Sequence, residues 1–108
     1  MTGHVVGFVT CGSRSEARKL ARVVLAKRLA ACVNIVNEVE SHYWWHGKLE
    51  CANEWLLLIK TTKAKSAAVT KAIKSAHSYS VPEIVFISIS SGERSYLKWV
   101  GDSVKQSA

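Results

Sequence analysis

The sequence predicts an α+β domain whose main elements follow in the order strand, helix, strand, strand, helix, strand, with a short C-terminal helix. Three observations lead to this prediction. The segment before a central glycine turn alternates apolar and polar residues with the period of a strand, a second extended run follows that turn, and two further segments carry an apolar stripe with the period of a helix. The 108 residues are enough for one domain, 1–108, with a single hydrophobic core.

The first strand and the first helix occupy the N-terminal part of the chain. The strand is predicted at about residues 4–10, around the apolar run 5–9. Ser13 and Glu16 fit a capping box, in which the hydroxyl accepts from the amide of Glu16 and the carboxylate reaches back. The helix should then run to about Ala30. Its apolar stripe consists of Ala17, Leu20, Ala21, Val24 and Leu25.

A long hairpin is predicted from a second strand at 32–45 and a third at 49–61. At ~3.3 Å per residue the second strand would be roughly 45 Å long, whereas a domain of this size has a radius of gyration near ~13 Å. The hairpin tip should therefore project beyond its own domain. A strict two-residue turn at His46-Gly47 would pair odd with even positions and mix the apolar faces, so we expect a three-residue turn or a bulge nearby.

The second half of the chain predicts one helix, one strand and a terminal helix. Thr62 is suited to cap the second helix, whose buried face consists of Val69, Ala72, Ile73 and Ala76. Residues 77–82 should be a non-helical connection, because Pro82 disfavours helix in the residue before it. The fourth strand is predicted at 83–90, and the pattern of 96–100 indicates a short helix packed back on the domain.

This order of elements is the ferredoxin-like, or split βαβ, plan. Right-handed crossovers place both long helices on one face of the antiparallel sheet, which leaves the other face bare in a single copy. The hairpin tip adds three adjacent aromatic residues, Tyr43, Trp44 and Trp45. Exposed strands of this kind aggregate unless they are covered. We therefore expect an obligate homo-oligomer.

Composition limits the classes of function. The net charge of +7 comes largely from the two predicted helices, whose basic residues should form solvated outer faces, so a nucleic-acid partner is not expected. A polyanion-binding face on the first helix remains an alternative. Three cysteines without a CxxC pair argue against a disulfide framework. The N-terminus lacks a signal-peptide pattern and no run could span a bilayer, so we expect a soluble cytoplasmic protein.

Cys11, His77 and Glu83 form the candidate metal site. Cys11 ends the first strand, and His77 and Glu83 flank the connection into the fourth, which should lie antiparallel beside the first. These strand ends are neighbours, so thiolate, imidazole and carboxylate could converge within one subunit or across a subunit boundary. A soft sulfur with an imidazole favours copper or zinc over magnesium or calcium. Affinity should rise with pH, because thiol and imidazole lose protons to bind.

Each of these three residues also has an ordinary structural interpretation. Cys11 is equally suited to be a small buried hydrophobe. His77 could hydrogen-bond only the backbone of its own loop. Glu83 could satisfy amide groups after Pro82, or a basic residue across an interface.

Other reactive side chains are interpreted as structural. His42 and His46 lie four residues apart on the hairpin and are assigned as surface histidines, and Cys51 is assigned to strand packing. The pair Cys11 and His77 is the one dyad suited to nucleophilic catalysis. No substrate pocket or oxyanion hole can be identified from the sequence, so no enzymatic activity is predicted.

Four motifs, at residues 29–34, 41–61, 77–84 and 96–99, follow one another in an order that resembles the CutA family of divalent-cation tolerance proteins over nearly the whole chain. Residues 29–34 resemble the segment that leads into the family's second strand. The central signature is matched at Ser41, Tyr43, Trp45, Gly47, Glu54, Lys60 and Thr61. Residues 77–84 resemble its His-Pro-Tyr and Pro-Glu segment, and 96–99 its C-terminal motif. Two departures concern the candidate site: Ser78 replaces the usual proline, and Ala76 stands where some metal-associated relatives have a second histidine.

The resemblance implies a ferredoxin-like homotrimer, architecturally similar to PII signalling proteins, with no established enzymatic activity. It also implies binding of a divalent transition metal, copper first and zinc second, in a tolerance or homeostasis role. The alternative is a signalling or adaptor trimer whose inter-subunit clefts hold a small ligand or an unidentified protein partner. No membrane or organic cofactor is expected.

Overall fold

The sheet and its helices follow the predicted order in a computed structural model that describes residues 2–105. The strands are β1 (His4–Cys11), β2 (Cys32–Trp45), β3 (Lys48–Thr62) and β4 (Ile84–Ser88). The helices are α1 (Arg14–Ala26), α2 (Ser66–Ala76) and α3 (Arg94–Lys105), and a 3-10 turn, Lys63–Lys65, precedes α2. All strand pairs are antiparallel, in the order β2-β3-β1-β4. The predicted ferredoxin-like α+β fold is confirmed.

The hydrophobic core lies between α1, α2 and one face of the sheet. Val9 of β1 pairs with Leu57 of β3, and both side chains are fully buried on the face that the helices cover. The helices contribute Leu20, Val24, Val69 and Ile73. Burying a side chain of this size contributes roughly 1.5–3 kcal/mol. This packed layer holds the C-terminal end of β1 in place.

The opposite face of the sheet is largely uncovered in the single chain. Phe8 lies between Leu58 and Val85, and Val6 pairs with Ile87. These positions alternate with the buried ones, so they point away from α1 and α2. Val85 is 51% exposed and Ile87 57% exposed. The bare face expected from the topology is therefore present.

The hairpin of β2 and β3 extends well past the rest of the sheet. β1 ends at Cys11, opposite Trp55, and all the pairs nearer the turn lack a β1 neighbour. The molecule measures 44 × 27 × 22 Å. The projecting tip expected from the strand length is confirmed.

The turn of this hairpin differs from one of the two expected forms. Trp45 pairs with Lys48, so the turn has two residues and the expected three-residue turn is wrong. His46 and Gly47 have φ of 51° and 76°, the left-handed pair of a type I′ turn, whose twist suits a hairpin. The alternative, a bulge, is present: the register shifts between Val36 and Val39. The extra residue changes the face: Ile35 pairs with Leu57 on the side that the helices cover, whereas Val39, after the bulge, pairs with Glu54 on the opposite side.

Helix α1 ends at Ala26, four residues before the predicted end at Ala30. Arg28 takes a left-handed φ of 57°, and its amide donates to the carbonyl of Leu25 at 3.1 Å. The amide of Leu29 donates to the carbonyl of Val24 at 2.9 Å. These two bonds form a Schellman motif, which satisfies the last carbonyls and stops the helix. The end of α1 could not be predicted from the sequence, because the residue in the left-handed conformation is Arg28 and not a glycine.

Three further boundaries differ from the prediction. Thr62 makes no capping hydrogen bond, because the 3-10 turn separates it from α2. β4 is shorter than 83–90, although the amide of Ile89 still donates to the carbonyl of His4 at 2.9 Å. Helix α3 is longer than 96–100, since the carboxylate of Glu93 accepts from the amides of Ser95 and Tyr96 and caps its start. No helix within residues 2–105 is long and apolar enough to cross a membrane.

Candidate functional site

The end of β1, the loop after α2 and the start of β4 meet, as the topology predicts. Val9 pairs with Ile84, which places Glu83 beside Thr10. The Nε2 atom of His77 lies 2.8 Å from the carbonyl oxygen of Thr10. Cys11 and His77 are thus held at the same end of β1, whereas Glu83 is exposed on the other side of the sheet edge, lining a cavity.

Both ring nitrogens of His77 are engaged by the protein. Nε2–H donates to the carbonyl of Thr10, and Nδ1 accepts from the amide of Tyr79 at 3.0 Å. The imidazole side chain is fully buried. This arrangement matches the ordinary interpretation, in which His77 fixes the backbone of its own loop.

The thiol of Cys11 is fully buried and donates to the carbonyl of Ser13 at 3.5 Å. Burial raises the pKa of Cys11 to about 11, so the thiol stays protonated near neutral pH. A metal ligand must be a thiolate. In this conformation neither Cys11 nor His77 offers a free donor atom, and the assignment of a metal to Cys11, His77 and Glu83 stays a prediction.

Glu16 connects α1 to this loop, a role that the sequence did not reveal. Its carboxylate accepts from the backbone amide of Ser78 at 2.7 Å and from the Ser78 hydroxyl at 3.0 Å. Burial alone would raise the pKa of Glu16, but these bonds and the nearby ring of His77 hold that pKa below its usual value. A proline at position 78 could not donate the first bond.

The predicted capping box of α1 is only half formed. The Oγ atom of Ser13 accepts from the amide of Glu16 at 3.1 Å, as expected. The Glu16 carboxylate does not return to Ser13, because Ser78 offers it two donors instead. The cap of α1 and the loop after α2 are therefore linked through one side chain.

Glu40, His42 and Cys51 converge on the projecting hairpin, and we call them the hairpin triad. His42 lies directly opposite Cys51 across the strand pair, and Glu40, two residues earlier, shares their face. The Nε2 atom of His42 is 2.6 Å from a Glu40 carboxylate oxygen and 3.8 Å from Cys51 Sγ. All three donor atoms lie within 4.8 Å of one another. Within residues 2–105, this is the one group of three or more such donors that converges.

The donor set of the hairpin triad fits a borderline or soft transition metal. A tetrahedral zinc ion with bonds of ~2.3 Å to sulfur and ~2.0 Å to nitrogen holds those two atoms about 3.5 Å apart, close to the observed 3.8 Å. Thiolate and imidazole donors also suit copper, whereas calcium and magnesium prefer oxygen. Three protein ligands leave a fourth position for water or another ligand. All three residues are exposed, so an ion can reach them directly.

The hairpin triad was not predicted from the sequence, because a three-residue turn and a bulge were both left open and the pairing across the turn was therefore not fixed. His42 was interpreted as a surface residue and Cys51 as strand packing. In the type I′ turn Trp45 lies opposite Lys48. Three residue pairs further from the turn, His42 therefore lies opposite Cys51. The signal was therefore present in the spacing of 42 and 51 about the His46-Gly47 turn.

A cavity of about 640 Å³ lies between the hairpin and the loop before β4. Glu54, on its wall, accepts from the hydroxyl of Tyr79 at 2.8 Å. Burial, together with this hydrogen bond, raises the pKa of Tyr79 well above its usual value, so the phenol keeps its proton as a donor. Tyr43 and Trp45 of the hairpin line the same cavity.

The family model and the most similar sequences found by comparison with known proteins all indicate the same family. The family model for the CutA1 divalent ion tolerance protein matches residues 5–103. The chain is 40% identical over 102 residues to the divalent-cation tolerance protein CutA of Archaeoglobus fulgidus, covering 94% of this chain and 99% of that one. It is 43% identical over 99 residues to the CutA homolog of Xenopus laevis, covering 92% of this chain and 66% of the relative.

Solved structures agree with the sequence relatives. The structure of the periplasmic divalent cation tolerance protein CutA from Archaeoglobus fulgidus superposes with a TM-score of 0.91 at 40% identity, covering 94% of this chain and 98% of that one. CutA1 from Oryza sativa gives 0.90 at 39% identity, covering 95% and 96%. The chain spans 58% to 66% of the length of the first curated animal and plant relatives it matches.

Proposed function

The chain belongs to the CutA1 divalent ion tolerance family, and from this premise we propose that it binds a divalent transition metal at the hairpin triad. The observation that carries the proposal is the convergence of carboxylate, imidazole and thiol donors within 4.8 Å. Copper is the proposed ion and zinc the second choice, because the thiolate and imidazole favour both. The role is tolerance or homeostasis of the ion, without catalysis.

The active form in this proposal is a homotrimer. The uncovered sheet face supports self-association, since a second copy would bury Val85, Ile87 and the aromatic tip. The number three comes from the resemblance to the family. We place the protein in the cytoplasm, where Cys11, Cys32 and Cys51, all unpaired here, would stay reduced.

Calorimetric titration with zinc tests the hairpin triad, because zinc has no redox chemistry with the thiols. We expect His42→Ala and Cys51→Ser each to weaken binding by about tenfold or more, as loss of a ligand or of its support does. His46→Ala and Cys32→Ser are matched controls, since they remove the same groups outside the triad. Unchanged affinity in both triad variants would refute the assignment.

The same titration distinguishes the triad from the site predicted at the end of β1. Cys11→Ala and His77→Ala should leave zinc affinity unchanged if the triad is the binding site. A loss of zinc affinity that is confined to those two variants would assign the ion to Cys11, His77 and Glu83. Copper is then titrated under argon to compare the two ions at the site identified.

The second candidate function is the signalling or adaptor role with a small ligand. The observation that favours it is the cavity of about 640 Å³ beside the hairpin, large enough for a small molecule. Co-purification of a partner together with no response to metal would support this role over metal tolerance.

A further inference from the structure

Glu54 is a buried carboxylate that has no cationic partner in the part of the chain that the structure describes. Its exposure is 7%, and its hydrogen bond comes from the neutral hydroxyl of Tyr79. Among residues 2–105, no Lys, Arg or His nitrogen lies within 4.0 Å of it. Buried charges are expensive and are normally paired. The position of Glu54 on the cavity wall indicates where a compensating charge would lie.

The chemistry of the cavity wall is acidic and aromatic. Glu54 and Glu83 supply carboxylates, and Tyr43, Trp45 and Tyr79 supply aromatic rings. None of the described residues that line the cavity is Lys or Arg, although the chain carries a net charge of +7. His42 of the hairpin triad also lines the cavity, while the carboxylates and aromatic rings of the wall are groups that attract a foreign cation.

We propose that this cavity binds an organic cation, a protonated amine or guanidinium group that pairs with Glu54 and lies against the aromatic rings. Carboxylates form strong charge-assisted hydrogen bonds with such groups. Aromatic faces attract them further through cation–π interactions, worth ~0.5–2 kcal/mol. A bare metal ion fits less well, because within residues 2–105 Glu54 and Glu83 belong to no convergent group of three donors. Although His42 belongs to both the cavity wall and the hairpin triad, the proposed partner of the cation is Glu54, which is not a residue of the triad.

The cation can come from two sources with the same chemistry. One source is a free small molecule that carries an amine or guanidinium group. The other is a Lys or Arg side chain of a second copy of this chain, because the cavity opens beside the uncovered sheet face. In both cases Glu54 gains a cationic partner, which it lacks among residues 2–105.

The first arm of the test measures binding of free cations to the full chain. Calorimetry and tryptophan fluorescence, which Trp45 reports from the wall, are recorded with 1,4-diaminobutane and agmatine, and with 1,4-butanediol as the uncharged control. We expect the amines to bind and the diol not to bind. Glu54→Gln should weaken binding by about tenfold or more, since it removes one partner of a buried charge pair.

Glu50→Gln is the matched control for Glu54→Gln. Glu50 is exposed on the same strand and does not line the cavity, so the two variants change the net charge equally. If Glu54→Gln does not fold, Glu83→Gln at the exposed rim takes its place and should weaken amine binding by about threefold, as a solvated charge does.

The second arm measures dissociation of the assembly on dilution. If no free amine binds, the assembly of Glu54→Gln should dissociate at about tenfold higher concentration than the assembly of Glu50→Gln. Glu83→Gln is measured instead if Glu54→Gln does not fold. Dissociation at the higher concentration would identify the cation as a side chain of a second copy. Absence of amine binding together with equal dissociation of the variant and its control would overturn the proposal.

Discussion

Cys11 and Cys51 are the same residue type in opposite surroundings. Cys11 is fully buried and burial raises its pKa to about 11, whereas Cys51 is exposed on the hairpin. Only a thiolate reacts rapidly with electrophiles or metals. The environment, which the sequence alone does not display, therefore decides which cysteine is available for chemistry.

We expect a thiol reagent to label Cys51 first at neutral pH and Cys11 only after unfolding. The reason is that Cys11 is both protonated and inaccessible to the reagent. Mass spectrometry of digested samples, taken before and after addition of denaturant, gives the order of labelling. Added zinc should slow labelling of Cys51. Equal labelling rates at Cys11 and Cys51 in the folded protein would contradict this picture.

Glu16 should make the stability of the chain depend on pH. Its folded pKa is lowered, so its contribution is present above the ordinary value of about 4.5 and is lost as pH falls through the lower folded value. We expect Glu16→Gln to reduce the free energy of unfolding at neutral pH by about 1.5–3 kcal/mol, the range for hydrogen bonds to charged groups.

Denaturant unfolding of wild type and Glu16→Gln across acidic to neutral pH measures this effect. The difference in the free energy of unfolding between wild type and Glu16→Gln should decrease as the Glu16 carboxylate is protonated. Glu50→Gln, which removes an exposed carboxylate, should cost little at any pH. A constant difference for Glu16→Gln down to strongly acidic pH would show that its charge is not the cause.

At the scale of elements, the sequence predicted what periodicity encodes and missed what single backbone conformations decide. The strands and their order follow from apolar alternation and helical stripes, which many residues specify together. The end of α1 depends on a left-handed Arg28, and the hairpin register on Glu38 and His46, with φ of 57°, 42° and 51°. In a sequence, arginine, glutamate and histidine do not indicate a left-handed conformation, whereas glycine often does.

The candidate site residues also differ in whether the order of the elements or the conformation of single residues brings them together. The meeting of Cys11 and His77 at one end of β1 was predictable, because strand order alone brings them there. The hairpin triad was missed, because the pairing of His42 with Cys51 can be deduced from the spacing only once the turn is known to have two residues. A one-residue error in register moves every side chain to the other face. The buried Glu54 was also hidden, since burial depends on how Tyr79 folds over it.

Gly47 should be required for the hairpin turn. Its φ of 76° suits glycine, and Gly47→Ala should lower stability by about 1 kcal/mol, the usual cost of forcing a side chain into this region. Thermal unfolding measures the loss. His46→Asn is the matched control at the neighbouring position and should preserve or raise stability, because Asn-Gly favours the type I′ turn. Equal melting temperatures for Gly47→Ala and wild type would contradict the turn assignment.

At the scale of the whole molecule, the exposed sheet face should hold the assembly together. Ile87 lies on this face in the edge strand β4, opposite Val6 of β1, and is 57% exposed. Ile87→Glu would bury a charge against a second copy, so we expect the assembly to dissociate. Light scattering after size exclusion reports the mass.

Leu25→Glu is the control for this substitution. Leu25 is an exposed apolar residue on α1, on the far side of the sheet, and its variant should keep the mass of the wild type. An unchanged mass for Ile87→Glu, or a monomeric wild type, would exclude self-association through this face.

Native mass spectrometry of the wild type and Cys51→Ser, with and without zinc, tests the proposed function most directly. It reports the number of chains and the number of bound ions in the same particle. We predict a trimer that takes up one zinc ion per chain, and a trimer of Cys51→Ser that takes up none under the same conditions. A wild type that binds no zinc, or a Cys51→Ser variant that binds as much as the wild type, would contradict metal binding at the hairpin triad.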